Sequence, residues 1–335
     1  MGRIRCGDLR KPGTRKPHLR RKHEPSLALW ERYFHIASLK AESAALIAGP
    51  EPQRPTVVRQ RERRPTYRIQ ATKGWSGLNL SEIWRYRDLL TILVERDIKL
   101  LYKQTVLGVI WVVAQPLVAA VIFAVVFGRV AKLPSDGAPY LLFVFCGLTV
   151  WTYLSQALRR AGNSIAGSSQ LVSKVYFPKL LIPLAHSIGA LVDFVVVFVV
   201  LLVLMWIYHV APTFRLATIP LVLLLMACMA TGVALWFAAL GVKYRDCTYA
   251  LPYFVQVWMY ASPVVYPVSM VPRRWQTLFA LNPAVGFIES FRWAILGRGA
   301  LNAGILCVTV LVSLLALLSG ALFFRRTERT FADYI

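Results

Sequence analysis

LIPLAHSIGALVDFVVVFVVLLVLMWIY, residues 181–208, carries one formal charge, Asp193, in a run long enough to cross a bilayer as a helix. About 20 apolar residues suffice for a crossing, and longer runs tilt or extend past the hydrocarbon. Similar runs lie to either side, near 106–128, 140–159, 218–241, 249–267 and 301–324. Basic residues gather in every second connection between them. The pattern predicts an all-α integral membrane protein with six transmembrane helices.

Composition agrees, since 57% hydrophobic residues and a mean hydropathy of +0.53 are too apolar for a soluble chain of this length. The net charge of +23 is unevenly placed: residues 1–66 hold 16 Lys/Arg against 6 Asp/Glu. No base-stacking or groove-reading motif accompanies them, which excludes nucleic acid as the expected partner. Such flanks serve instead as topology signals and contacts to anionic membrane lipids. The five cysteines show no ligand spacing, and Cys146, Cys228 and Cys307 fall inside apolar runs as small packing residues. No metal site is expected.

Residues 1–66 are rich in Arg and Pro, with one short amphipathic stretch around Leu27 to Ile47. No apolar core follows the basic start, so a disordered extension is expected rather than a cleaved signal. Residues 67–104 read as a linker and an amphipathic interfacial helix, 105–326 as the six-span body and 327–335 as a cytoplasmic tail. Within Ser81–Gln104, Ile83, Leu90, Leu93, Val94, Ile98 and Leu101 recur at three- and four-residue steps. The charges, Asp97 among them, are expected on the opposite face, as in a helix lying in the membrane plane.

Residues 268–300 contain Pro272 and Pro283, several charges and only short apolar stretches. Two short re-entrant helices between spans five and six fit this better than a further crossing. Irregular backbone at that depth survives only where protein or a water-filled cavity covers it, so the segment is a candidate mouth for a pathway. From Arg85 onward, 14 Lys/Arg fall on one side of the predicted topology and 7 on the other. The richer side, with both termini, is therefore cytoplasmic.

Enzymatic signatures are missing: the chain has no GxxxxGK[ST], GxSxG or HExxH. His186 and His209 lie near opposite ends of span three and cannot form one cluster on that helix. Asp193 is the one clear acid within the spans, and a carboxylate there must face protein or water. It either couples an ion or bonds to a neighbouring helix. The absence of a second mid-membrane polar group favours the structural role. On the cytoplasmic side, RRAGNSIAGSSQLVSKVYFPK (159–179) is too long and too patterned for a simple turn. A short helix there could present Leu171, Val172, Lys174 and Phe177 to a partner's groove.

Several of these stretches occur together in a recognisable order: RDIKLLYKQTVLGVIWVVAQPLVAAVIFAVVFG (96–128), PSDGAPY (134–140), NSIAG (163–167), LVSKVYFPKLLIPL (171–184), LVDF (191–194), GVKYRDCTYALP (241–252), SPVVYP (262–267) and LNPAVGFIESFRWAILG (281–297). From about Arg87 to Arg326 the chain resembles the permease subunit of type 2 ABC exporters. It is most similar to the branch that exports O-antigen, capsule, teichoic acid and related polysaccharides. The resemblance implies a second copy of the chain and a separately encoded cytoplasmic ABC ATPase. ATP and Mg would sit on that partner, with no cofactor in this chain and no catalysis by it. It also implies a cytoplasmic (inner) membrane location. A coupling helix would lie at about Asn163–Lys174, beginning with Asn163 and Ser164, and the YRD element would be Tyr244, Arg245 and Asp246 on the same side. The re-entrant helices would stand near the external exit.

Aromatic residues are dense in spans two, four and five. Sugar rings pack their C–H faces on aromatic rings, so Tyr253, Trp258 and Tyr260 are the candidate channel residues. The expected function is ATP-driven export of a lipid-linked polysaccharide. The alternatives are an exporter of a smaller lipid-like or drug-like molecule and a membrane transferase acting on a lipid carrier. The transferase predicts turnover without an ATPase.

Overall fold

A computed structural model describes residues 84–103, 108–168, 171, 177–297 and 301–331. The basic extension, Ile83, Val172 and Lys174 lie outside these residues. The described chain is helical: α1 (Arg87–Lys103), α2 (Gly108–Phe123), α3 (Tyr140–Gly162), the single turn α4 (Ser164–Gly167), α5 (Leu181–Ile207), α6 (Ile219–Lys243), α7 (Asp246–Tyr260), α8 (Arg273–Ala280), α9 (Pro283–Leu296) and α10 (Ala303–Glu328). No strand occurs among the described residues.

Among the described residues, five segments are long and apolar enough to cross a membrane: Gly108–Val130, Tyr140–Gly162, Leu181–Ile207, Phe214–Lys243 and Ala303–Glu328. The first continues α2 through a π-helical stretch, Ala124–Val130. The expected fifth span, 249–267, takes a different form. Helix α7 has 15 residues and ends at Tyr260. At 1.5 Å per residue it spans about 22 Å, short of the roughly 30 Å hydrocarbon core. Pro263 and Pro267 explain the stop, because each lacks an N–H and restricts the residue before it. Turns carry the chain from there to α8 and α9, the two short helices expected in this region.

Helix α3 forms the centre, with most of its residues buried from Leu142 to Gly162. Around it, Phe143, Tyr153, Phe194, Phe287 and Phe291 fill the main core, together with α6 side chains such as Met226. The Phe194 ring stacks on Phe198 and meets Tyr153 and Phe291 edge to face. In lipid, close helix approach depends on small residues at the crossing. Gly232 of α6 and Gly320 of α10 supply it: a Cβ on Gly320 would lie 2.1 Å from the Gly232 carbonyl oxygen.

Local chemistry sets the short helices. Asn282 caps α9 by accepting from Ala284 N, with Pro283 in the first turn where its missing N–H costs nothing. Gly297, at φ +66°, closes the same helix in the left-handed conformation. Asn302 caps α10 by accepting from Gly304 N and Ile305 N. Within α9, Arg292 is buried against the Phe143 ring, 3.6 Å from its centroid, and donates to Val264 O at 2.7 Å. It thereby ties the turn after α7 to α3 and α9.

Candidate functional site

A second apolar cluster forms at the end of the bundle where α3 finishes and α5 begins. It joins Leu93 of α1, Ile165 of α4, Phe177, Leu180 and Leu181 at the start of α5, Leu235 and Ala238 of α6, and Phe324 and Phe331 at the end of α10. Phe331 meets Phe324 edge to face, and Lys179 Nζ sits 5.4 Å from the Phe331 ring centroid. The Lys179 backbone N–H donates to Glu328 Oε1 at 2.9 Å. Parts of α1, α5, α6 and the α10 end thus meet Ile165 and Phe177 in one cluster.

The predicted coupling residues are divided by this arrangement. Asn163 ends α3, and its carbonyl accepts from Gly167 N at 3.1 Å. Ser164 is buried and donates to Ala161 O at 2.6 Å. Leu171 is half-buried against the cluster. Phe177 differs from the expectation, being only 6% exposed inside the chain's own core. It anchors the segment and offers no surface to a partner. Phe177→Asp should therefore lower the yield of folded protein sharply, since truncating a buried Phe alone costs about 3–5 kcal/mol. Fluorescence-detected size-exclusion chromatography of a tagged chain would measure this; a normal monodisperse peak would contradict it.

Tyr244, Arg245 and Asp246 form the exposed turn between α6 and α7 at the same end. The contact of Gly162 with Leu251 and Phe237 places the end of α3 beside both helices. Asp246 begins α7, where a negative charge suits the helix dipole.

Asp193 acquires partners that linear order did not reveal. It is 1% exposed on α5. Its Oδ2 accepts from Arg160 Nη2 at the end of α3, and its Oδ1 accepts from the Tyr102 hydroxyl of α1. Burial and the carboxylate push the Tyr102 phenol above its usual range, so it stays protonated as the donor. Asp97 of α1 also departs from expectation: it is buried against α5, 3.4 Å from His186 Nε2, instead of on the charged outer face. Gly189 makes room, since a Cβ there would stand 2.8 Å from Asp97 Oδ2. Leu90, Leu93, Val94, Ile98 and Leu101 do share the covered side of α1.

The aromatic candidates also separate. Tyr253 and Tyr260 are 72% and 65% exposed on one face of α7, and Tyr249 extends the same stripe. Trp258 is on the packed side, with its indole N–H donating to Asn282 Oδ1 at 2.8 Å and its ring edge-on to Trp151. Tyr249 was missed by sequence reading, although its spacing of four from Tyr253 on a helix carries the signal.

No cluster of three or more His, Cys, Asp or Glu suited to a metal occurs among the described residues. Residues 88–296 match the family described as ABC-2 type transporter. An O-antigen export system permease protein RfbA of Myxococcus xanthus is 27% identical over 76% of this chain and 98% of its own length. One from Klebsiella pneumoniae is 25% identical over 74% of this chain and 95% of its own. The polysialic acid transport protein KpsM of Escherichia coli is 20% identical over 70% of this chain and 91% of its own. The family match covers more than half of the sequence and takes in α3, α5, α6, α7 and the short helices α8 and α9: the chain is an integral membrane permease belonging to the ABC-2 type transporter family.

Proposed function

We propose that this chain is the membrane-spanning subunit of an ATP-driven exporter that moves a lipid-linked cell-surface polysaccharide across the cytoplasmic membrane. The observation that carries the reading is similarity over nearly the whole length of relatives named for O-antigen export and polysialic acid transport. A second copy of the chain completes the pore, and a cytoplasmic ABC ATPase holds ATP and Mg. Both termini face the cytoplasm. Helix α7 provides a short fifth crossing, giving six in all, while α8 and α9 dip into the outer leaflet and return. Helix α1 lies along the inner interface. The domain limits stay at 1–66, 67–104, 105–326 and 327–335.

In this reading the segment from Asn163 through Leu171, Val172 and Lys174 docks on the ATPase, beside Tyr244, Arg245 and Asp246. Phe177 and the α10 end brace it. Tyr249, Tyr253 and Tyr260 form a sliding surface for sugar rings along the passage. Asp193, Arg160 and Tyr102 fasten α1 to the helices that move with the segment.

Purifying the chain with the ATPase encoded beside it tests the whole reading. The host's own lipid-linked glycan should stimulate ATP hydrolysis several-fold and enter proteoliposomes only with ATP. Leu171→Asp should still insert and should cost less folded yield than Phe177→Asp, yet lose that stimulation, because the substitution places an unpaired charge in an apolar docking contact. Turnover of the glycan by the chain alone would overturn the transporter assignment.

A further inference from the structure

At the end of the bundle opposite the 163–180 segment lies a cavity of about 580 Å³, in the range that small ligands occupy. It is walled by Asp136 from the α2–α3 connection, Gln276 of α8, Glu289 and Trp293 of α9, and Asn302 at the start of α10. We propose that this cavity is a binding site for an uncharged sugar unit, an inference that rests on polysaccharide export as the function.

The lining groups match hydroxyl-rich ligands. Two carboxylates can accept from sugar hydroxyls through charge-assisted bonds. The Gln276 amide nitrogen donates to Val271 O at 3.0 Å, leaving its carbonyl oxygen as an acceptor. The Asn302 carbonyl oxygen caps α10, leaving its NH₂ as a donor. Trp293 adds a flat apolar wall, held by the Arg215 guanidinium 4.7 Å from its ring centroid.

Charge then selects the sugar. Arg292 is the only cation among the described lining residues. Its guanidinium is committed within the protein, to Val264 O, the Phe143 ring and Glu289 at 3.5 Å. Among the described lining residues two carboxylates face one guanidinium, which Glu289 already engages, so a ligand meets a net negative wall at Asp136 that disfavours carboxylated sugars. A neighbouring cavity of about 550 Å³, lined by Leu133, Met270, Trp275 and Leu278, has no charged residue among its described lining. The described linings of the two cavities thus differ in polarity.

The test uses the full chain in lipid nanodiscs, with mannotriose, maltotriose and chitotriose as uncharged probes and trisialic acid as the charged one, followed by microscale thermophoresis. At least one uncharged trisaccharide should bind saturably, and trisialic acid at least tenfold more weakly. Asp136→Asn, in an exposed turn, and Glu289→Gln should each weaken binding by tenfold or more. Absence of binding by all three uncharged probes, equal binding of trisialic acid, or unchanged binding by Asp136→Asn would overturn the site. Surface polysaccharide in cells lacking the chain separates the two readings. Loss of that polysaccharide without sugar binding defeats only the cavity, whereas its persistence defeats the export reading.

Discussion

Asp193→Leu should destabilise the protein by about 3–5 kcal/mol, because it strips Arg160 of its counter-charge in a buried site. Tyr102 would lose its acceptor at the same time. Asp193→Asn retains an acceptor but not the charge, so it should fall between wild type and Asp193→Leu. The double variant Arg160→Met/Asp193→Leu should recover part of the loss, since replacing both partners of a buried pair with apolar groups is often neutral. Thermal unfolding of the detergent-purified chain would rank the four proteins. A double variant no better than Asp193→Leu would remove the ion pair as the cause. Export driven by a proton or sodium gradient, abolished in a well-folded Asp193→Asn, would instead make Asp193 an ion-coupling group.

The second large effect belongs to the crossing of α6 and α10. In Gly320→Ala the added methyl would meet a backbone oxygen at 2.1 Å, and backbone cannot swing aside as a flexible side chain can. Overpacking of this kind costs about 1–3 kcal/mol and more when main chain must shift. Gly320→Leu should therefore abolish accumulation of folded protein, with Gly320→Ala substantially reduced. Gly167→Ala supplies the control: nothing lies within 4 Å of its would-be Cβ, so its yield should be unchanged. Equal yields from Gly320→Ala and Gly167→Ala would show that the helices separate freely.

Much of the architecture was legible because the signals were local. Five apolar runs became five long helices, and the proline pattern around 268–300 correctly marked two short ones. At 249–267 hydropathy alone pointed to a long helix, whereas the helix there has 15 residues and ends at Tyr260. Leu251 to Tyr266 is mostly apolar, yet the helix ends before the closely spaced Pro263 and Pro267, which remove backbone donors and restrict the residues preceding them. Asp193 was legible as a residue that needs covering, but its partners stand 33 and 91 positions away on other helices. Pairing of that kind is decided by which helix faces meet. The burial of Phe177 was hidden for the same reason. An apolar residue in a cytoplasmic loop looks like a docking group until α10 is known to return Phe324 and Phe331 to the same place. Asp97 sat on the wrong face of the periodic pattern because His186 and Gly189 of α5 make room for it.

The cluster around Ile165 and Phe177 also dictates an order of events during synthesis. Leu93, Ile165, Phe177, Leu181 and Leu235 leave the ribosome before Phe324 and Phe331, which close the same cluster. Until α10 has inserted, those earlier side chains have no cover from its end, and Lys179 N–H has no Glu328 to bond. The end of the permease that carries this cluster is thus finished last, whereas the α3–α5 core can pack as soon as α5 is in the membrane. A chain halted before residue 324 would enter the bilayer with an open, sticky end, which quality-control proteases could distinguish from the completed molecule.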